Sequence, residues 1–476
     1  MRAPLLFLLL AASGCILGST RCAKETTIEL LSAPIKLRYG QVHNTWQEPI
    51  DLPDDVVKKF ENGTMALVDY MIDIVYENGS RVPLYDTYNH HYYFNMGTKK
   101  AMNSLYDFMQ DAPYGFQTPD GLEGWVKGAK NPSSDDEDAI NNRKLLMSPH
   151  TMAAMRAKAN EAAEQDPDTA MVGSASGAEE RGTPHRLPEG YAYLVDTPEA
   201  LAPLFHFINT KAPDSLPEEQ LKTGEYSPFL QCPCTPQRVL NEENGTVDGW
   251  KPFPPFGTCS KQFYELENPS CSLETYKGGW RCCENGNYLL DTDNYNVDEF
   301  PEDVVYGKFV LTFLDDDARE LGIKETTALG HDVTGSLETR GNVEFDVPQC
   351  ENGTLPEDCI YEQSTVMYAD GGIDGSTDGK FLIPYTVGHL HVGGIDISLY
   401  DDSTGELICR SEAIYGNGTE PANEENYIVG MTPCIFDDPP VFNNNDKLRI
   451  VSRYNNTKPH LGVMGLFLGT KHEIDA

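Results

Sequence analysis

The sequence predicts a mainly β protein: two antiparallel jelly-roll or β-sandwich domains, with a partly helical, low-complexity insertion and a disulfide-rich connector. Three observations predict it. Strand-length apolar runs cut by turn residues fill residues 26–96 and return from residue 303 onward. Between 98 and 190 the texture changes to polar stretches such as "NPSSDDEDAINN", "EAAEQDPD" and "GSASGAEERGTP". Six cysteines then crowd into residues 232–283.

The elements follow in chain order. The opening "MRAPLLFLLLAASGCILGST" carries one arginine, an apolar run from Leu5 to Ala12, and then small residues. That pattern predicts a signal peptide over 1–22 and a secreted, extracellular product. Its apolar core is too short to anchor in a bilayer, and no later stretch approaches eighteen apolar residues, so no membrane span is expected. The N-terminal β domain is expected over 23–215, interrupted by the insertion at 98–190. Within the insertion, residues 142–165 are Ala- and Met-rich and predict one helix, and His150 and His185 read as solvated surface residues. The Cys-rich connector spans 216–302. The C-terminal β domain spans 303–476, where runs such as "DVVYGKFVLTFL", "FLIPYTVGHLHVGGIDISLYDD" and "DKLRIVSRY" are short and poor in helical pattern.

Composition narrows the function classes. A formal charge of −38 argues against nucleic acid and anionic membranes as partners. Of 12 cysteines, Cys15 and Cys22 lie in or beside the leader, and the others predict up to five disulfides in an oxidising compartment. Cys-x-Cys and Cys-Cys lack the paired spacing of a zinc site. N-glycans are expected at Asn62, Asn78, Asn244, Asn352, Asn417 and Asn455, each followed two residues on by Ser or Thr. Asn268 is excluded by Pro269. A hydrolase is disfavoured, because "GSASG" has Ala175 where a nucleophile elbow needs serine. The acidic "DGGIDGSTDG" (370–379) fails the spacing of an EF-hand loop and reads as a solvated turn.

The histidines carry the chemistry. In "GHLHVGG", His389 and His391 lie two apart on a predicted strand, so both rings project from one face. Imidazole at that spacing is a two-point chelate suited to copper or zinc. In "YNHHYYF", His90 and His91 are adjacent, and neighbours in a flat strand point to opposite faces. Both reach one partner only if the strand is bulged or twisted there. His206 sits among aromatic residues in "LFHFINTK", and Met464 in the apolar strand "GVMGLFLG".

The order of these stretches resembles the copper type II, ascorbate-dependent monooxygenases, which include peptidylglycine α-hydroxylating monooxygenase and dopamine β-monooxygenase. "VPLYDTYNHHYYFNMG", "LFHFINTKA" followed by "CPC", "GHLHVGGIDISLYDDSTGELICRS" and "HLGVMGLFLG" more closely resemble blocks of the stress up-regulated Nod 19 proteins. The resemblance implies two jelly-roll-like domains with one copper each. His90, His91 and His206 would bind an electron-transfer copper; His389, His391 and Met464 would bind a catalytic one. It further implies ascorbate as reductant, dioxygen as oxidant, and hydroxylation of a C–H bond in a small-molecule or peptide substrate. Peptide-hydroxylating relatives have an arginine just before their His-x-His, whereas "IPYTVGHLH" has none, which argues against a peptidylglycine substrate. Met367 and Met431 compete with Met464 for the thioether role, and His460 is an alternative ligand or supporting residue. His43, His331 and His472 have no assigned role. The rival reading is a non-catalytic secreted glycoprotein of the same fold, with a copper-binding, stress-response or matrix role.

Overall fold

The structure is a computed structural model. It describes residues 13–15, 22–111, 169–172, 177–213, 238–241, 246–250, 288, 296–335, 344–372 and 378–474. The expected helix within 142–165, His150, Asn244 and most of the Cys-rich connector lie outside the described residues.

The described chain is mainly β, in four larger sheets and one two-stranded ribbon. The first sheet centres on Glu302–Leu314, flanked by Cys22–Leu31 on one side and Thr64–Val75 on the other, with Tyr191–Asp196 beyond. The second runs Val42–Trp46, Ala200–Asn209, Thr87–Gly97, Thr169–Val172. The third runs Thr327–Asp332, His460–Ile474, Lys380–Leu390, Cys434–Ile435. The fourth runs Ile360–Tyr368, Lys447–Asn455, Gly394–Asp401, Leu407–Tyr415, Ile428–Met431. Among the described ladders only Lys324–Glu325 with Tyr191–Asp196 is a parallel strand pair; the other named strand pairs are antiparallel. The strand Glu302–Leu314, at the expected start of the second β region, belongs to the first sheet, where it pairs with Thr64–Val75 over eight positions.

Side-chain patterns explain the layering. Lys447–Asn455 alternates buried and exposed along its length, as a strand with one covered face does. Lys380–Leu390 is buried almost throughout, as a strand covered on both faces is. The first two sheets meet through aromatic edges: Tyr70 with Phe94 at 5.5 Å and Phe94 with Phe309 at 5.3 Å between centroids. Gly307 lets Phe205 lie against the facing strand, since a Cβ there would sit 2.0 Å from its ring. The third and fourth sheets meet at Gly388, where a Cβ would lie 2.3 Å from Ile397, and at Gly465, 2.7 Å from Val333 and 2.9 Å from Ser452. The Cys409–Cys434 disulfide joins these two sheets, and Cys350–Cys359 closes a nine-residue separation. The helix Lys99–Asp111 packs Ala101, Met102 and Leu105 against Trp46, Ala200 and Ala202. No described helix is long and apolar enough to cross a membrane.

Parts of the expected insertion pack against the sheets: Thr169–Val172 pairs with Thr87–Gly97, and the segment that follows it enters the interior. Within 177–190, Gly177, Ala178, Glu179, Thr183, His185, Leu187 and Pro188 are buried, in alternation with exposed residues. His185, expected on the surface, is 2% exposed; its ring stacks on Tyr70 at 4.8 Å and meets the Tyr385 hydroxyl at 3.3 Å. Tyr70 belongs to the first sheet and Tyr385 to the third, so the segment wedges between them.

Candidate metal centre

Alternation fixes which residues face outward from each pair of sheets. Phe94 and Phe205 point to the first sheet, so His91 and Tyr93 point the other way. Gly388 and Gly465 point to the fourth sheet, so His389, His391, Met464 and Leu466 point away from it. The second and third sheets therefore offer their histidines to the same space.

The adjacent pair is accommodated by a β-bulge. His206 pairs with His91, but the next residue, Phe207, pairs with Asn89, which leaves His90 as the extra residue. A bulge of this kind aims two successive side chains to one side. The His90 and His91 rings lie 4.3 Å apart, and His206 lies 4.3 Å from His90 and 5.6 Å from His91.

The other half completes the cluster. His391 lies 5.3 Å from His90 and 6.5 Å from His91; His389 lies 5.4 Å from His91 and 5.3 Å from His391. Five rings from strands far apart in sequence thus share one site. Ligating nitrogens of His90, His91 and His391 all fall within 4.8 Å of one another. Imidazole nitrogen binds zinc at about 2.0–2.1 Å, so two ligands of one such ion lie at most about 4.2 Å apart. Three ligands spread around one ion lie closer still, about 3.4–3.6 Å apart, so binding draws the three nitrogens together by up to about 1.4 Å from the 4.8 Å limit.

The chemistry of the donors fits a metal ion. His90, His206, His389 and His391 are each at most 3% exposed, while His91 is partly exposed. Neither ring nitrogen of His90, nor Nε2 of His389, has a hydrogen-bond partner among the described residues. Buried polar atoms are ordinarily paired, and these unpaired nitrogens of His90 and His389 are available as ligands. Burial, followed by the neighbouring imidazoles, holds the pKa of His90 well below its usual value. The ring is therefore neutral with a lone pair to give, the form a metal takes.

The sequence did not single out Glu179. It lies in the 3-10 turn Ala178–Gly182, is 2% exposed, and its Oε1 is 2.5 Å from His389 Nδ1. Nothing in "GAEERG" distinguishes it from a solvated acidic run. Met464 packs with Leu466 and Tyr93 on the histidine face, and its carbonyl accepts the Tyr454 hydroxyl. Met367 and Met431 belong instead to the main core. His460 bonds the Asn455 carbonyl through Nε2 at 2.9 Å and packs on Gly393, whose φ of 96° only glycine adopts without strain. His43 bonds Gln47 at 3.0 Å, and His331 bonds the Ala369 carbonyl at 2.9 Å; neither ring is in contact with the cluster among the described ring contacts. His472 bonds the Glu325 carbonyl at 2.7 Å.

The family model for stress up-regulated Nod 19 proteins matches residues 23–117 and 258–470. The chain belongs to that family. The matched ranges contain His90, His91, His389, His391 and Met464; His206 and Glu179 fall between them. No curated protein matches the chain in sequence. Among solved structures, one similar chain is that of PBCV-1 VP54 fitted into a cryo-EM reconstruction of the virophage Sputnik, at 7% identity and a TM-score of 0.26 over 96% of this chain and 95% of that one. Another is a quasi-atomic model of the PBCV-1 virus capsid, at 8% identity and 0.21 over 100% and 98%. Neither carries weight for fold or function at those scores.

Proposed function

We propose that this member of the stress up-regulated Nod 19 family is a secreted copper protein whose histidine cluster is its metal centre. The observation that carries the reading is the convergence of five histidines, on or beside strands of two sheets, on one buried site where both ring nitrogens of His90 and Nε2 of His389 have no hydrogen-bond partner among the described residues. His90, His91 and His391 are the core ligands, with His206 and His389 completing the set and Met464 offering a thioether. Copper bound there supplies one-electron redox chemistry and reactivity toward dioxygen.

The chain's own residues hold, orient and shield. The bulge at His90 aims two imidazoles where a regular strand aims one. Tyr93, Met464 and Leu466 line the same face with apolar surface and keep water away. His91, the partly exposed ring, marks the side from which reductant and substrate approach. The activity is hydroxylation of a C–H bond with dioxygen, with ascorbate as electron donor and a small-molecule or peptide substrate. The jelly-roll pairing of the sheets, the leader at 1–22 and the N-glycans belong to this reading. Asn62, Asn78, Asn352, Asn417 and Asn455 are all exposed, as glycan acceptors must be.

One observation favours a second reading. Four of the five rings are almost fully buried, which suits a metal-binding protein without turnover as well as an enzyme. Oxygen uptake separates the two. The copper-loaded protein is expected to consume dioxygen with ascorbate, stimulated by substrate and abolished in His91→Ala. Copper binding without oxygen uptake, across a panel of C–H substrates and reductants, would leave the non-catalytic reading.

A further inference from the structure

We propose that Glu179 is a positioning residue of the metal centre: it fixes the tautomer of His389 so that Nε2 presents its lone pair to the ion. This rests on the reading of the histidine cluster as a metal centre.

The geometry begins with the 2.5 Å contact between Glu179 Oε1 and His389 Nδ1. A buried carboxylate accepts, so Nδ1 carries the proton, and in the neutral ring Nε2 then holds the lone pair. Nε2 is the atom of His389 left without a hydrogen-bond partner, and its ring stands 5.4 Å from His91 and 5.3 Å from His391. A merely structural ion pair fits less well. It needs an imidazolium, whose Nε2–H would then be a buried donor with no acceptor among the described residues. Metal-bound histidines commonly give their other N–H to a carboxylate, which orients the ring and raises its basicity.

The carboxylate is itself held. The Gly177 amide donates to Oε1 at 3.2 Å, and the Glu179 carbonyl accepts the Thr183 hydroxyl at 2.7 Å. The Met431 amide donates to that same hydroxyl at 2.9 Å. Gly177 is pressed against both histidine strands: a Cβ there would lie 2.6 Å from the His90 carbonyl and 3.3 Å from His389 Cε1. The segment is a built part of the site, although it lies outside the ranges matched by the family model.

The test compares wild type, Glu179→Leu and Glu179→Gln, with copper(II) alone as the probe. Three quantities are read: affinity by competition with a chelator, the electron paramagnetic resonance spectrum of the loaded protein, and the melting temperature of the metal-free protein. Glu179→Leu is expected to weaken binding by about 10–100-fold and to shift the spectrum. Glu179→Gln, a neutral acceptor of the same shape, is expected to weaken it only several-fold with a smaller shift. The spectrum is a readout that loss of packing alone does not move, and Glu179→Gln carries the test if Glu179→Leu does not fold. Unchanged affinity and spectrum in the variants, with copper bound by wild type, would overturn the role of Glu179. Absence of copper binding by wild type would instead overturn the metal centre, and the positioning role with it.

Discussion

Replacing His90 by leucine is expected to make the metal-free protein more stable while destroying metal binding. The opposite signs follow from the ring's position. His90 is 1% exposed, touches His91, His206 and His391, and pairs neither ring nitrogen with a hydrogen-bond partner among the described residues. Leaving a buried polar atom unpaired costs about 1–3 kcal/mol. Leucine is of similar bulk and has no such atom, so the metal-free chain should gain about that much. Losing the central ligand should cost more than the 10–100-fold that removing an outer partner does, so copper affinity should fall at least about a hundredfold. Thermal unfolding of the metal-free chain and a chelator competition measure the two effects. If His90 were a structural core residue, leucine would lower stability and leave no metal effect to find.

Arg181→Met is expected to cost about 3 kcal/mol of stability. The guanidinium is 3% exposed, with Nε 2.7 Å from Asp73 and Nη1 3.0 Å from Glu424, whose side chains are 4% and 1% exposed. Nη2 donates to the Val82 carbonyl. Asp73 belongs to the first sheet, and Glu424 lies just before the strand Ile428–Met431 of the fourth. Removing one partner of a buried ion pair strands the other charges and costs about 3–5 kcal/mol. Asp73 keeps Arg81, and Glu424 keeps the Leu84 amide, so the lower end of that range is expected. Denaturant unfolding measures it. Copper affinity should fall as well, because Arg181 anchors the turn that carries Glu179. A loss below about 1 kcal/mol, the size of an exposed pair, would contradict the clasp.

The sequence showed strands better than it showed neighbours. Alternation in "KLRIVSRYN" and the unbroken apolar run in "FLIPYTVGHL" match the one-sided and two-sided burial of those strands. What a strand pairs with is set by partners remote in the chain, so Glu302–Leu314 gave no sign that it completes a sheet begun by Cys22–Leu31. Four of the six candidate ligands stood out because a histidine pair and His-x-His are unusual on strands; His206 and Met464 came only from the family resemblance. That the two sets meet was not legible, because it depends on which faces the two middle sheets turn outward. The resemblance implied separate sites, whereas the structure brings five of the six residues together. Glu179, Arg181 and His185 were hidden by composition. A polar stretch between low-complexity runs reads as solvated, and the partners that bury it, such as Asp73, Glu424 and Tyr385, lie about 100 or more positions away.

The claim at the centre of this account is that ligands from both halves serve one centre. Copper retained per chain, after loading and desalting, tests it most directly when wild type is compared with the His389→Ala/His391→Ala protein. A shared centre predicts that the double variant retains almost no copper, although His90, His91 and His206 are intact. A variant that keeps half of the wild-type copper would contradict it, and would show two centres that bind independently.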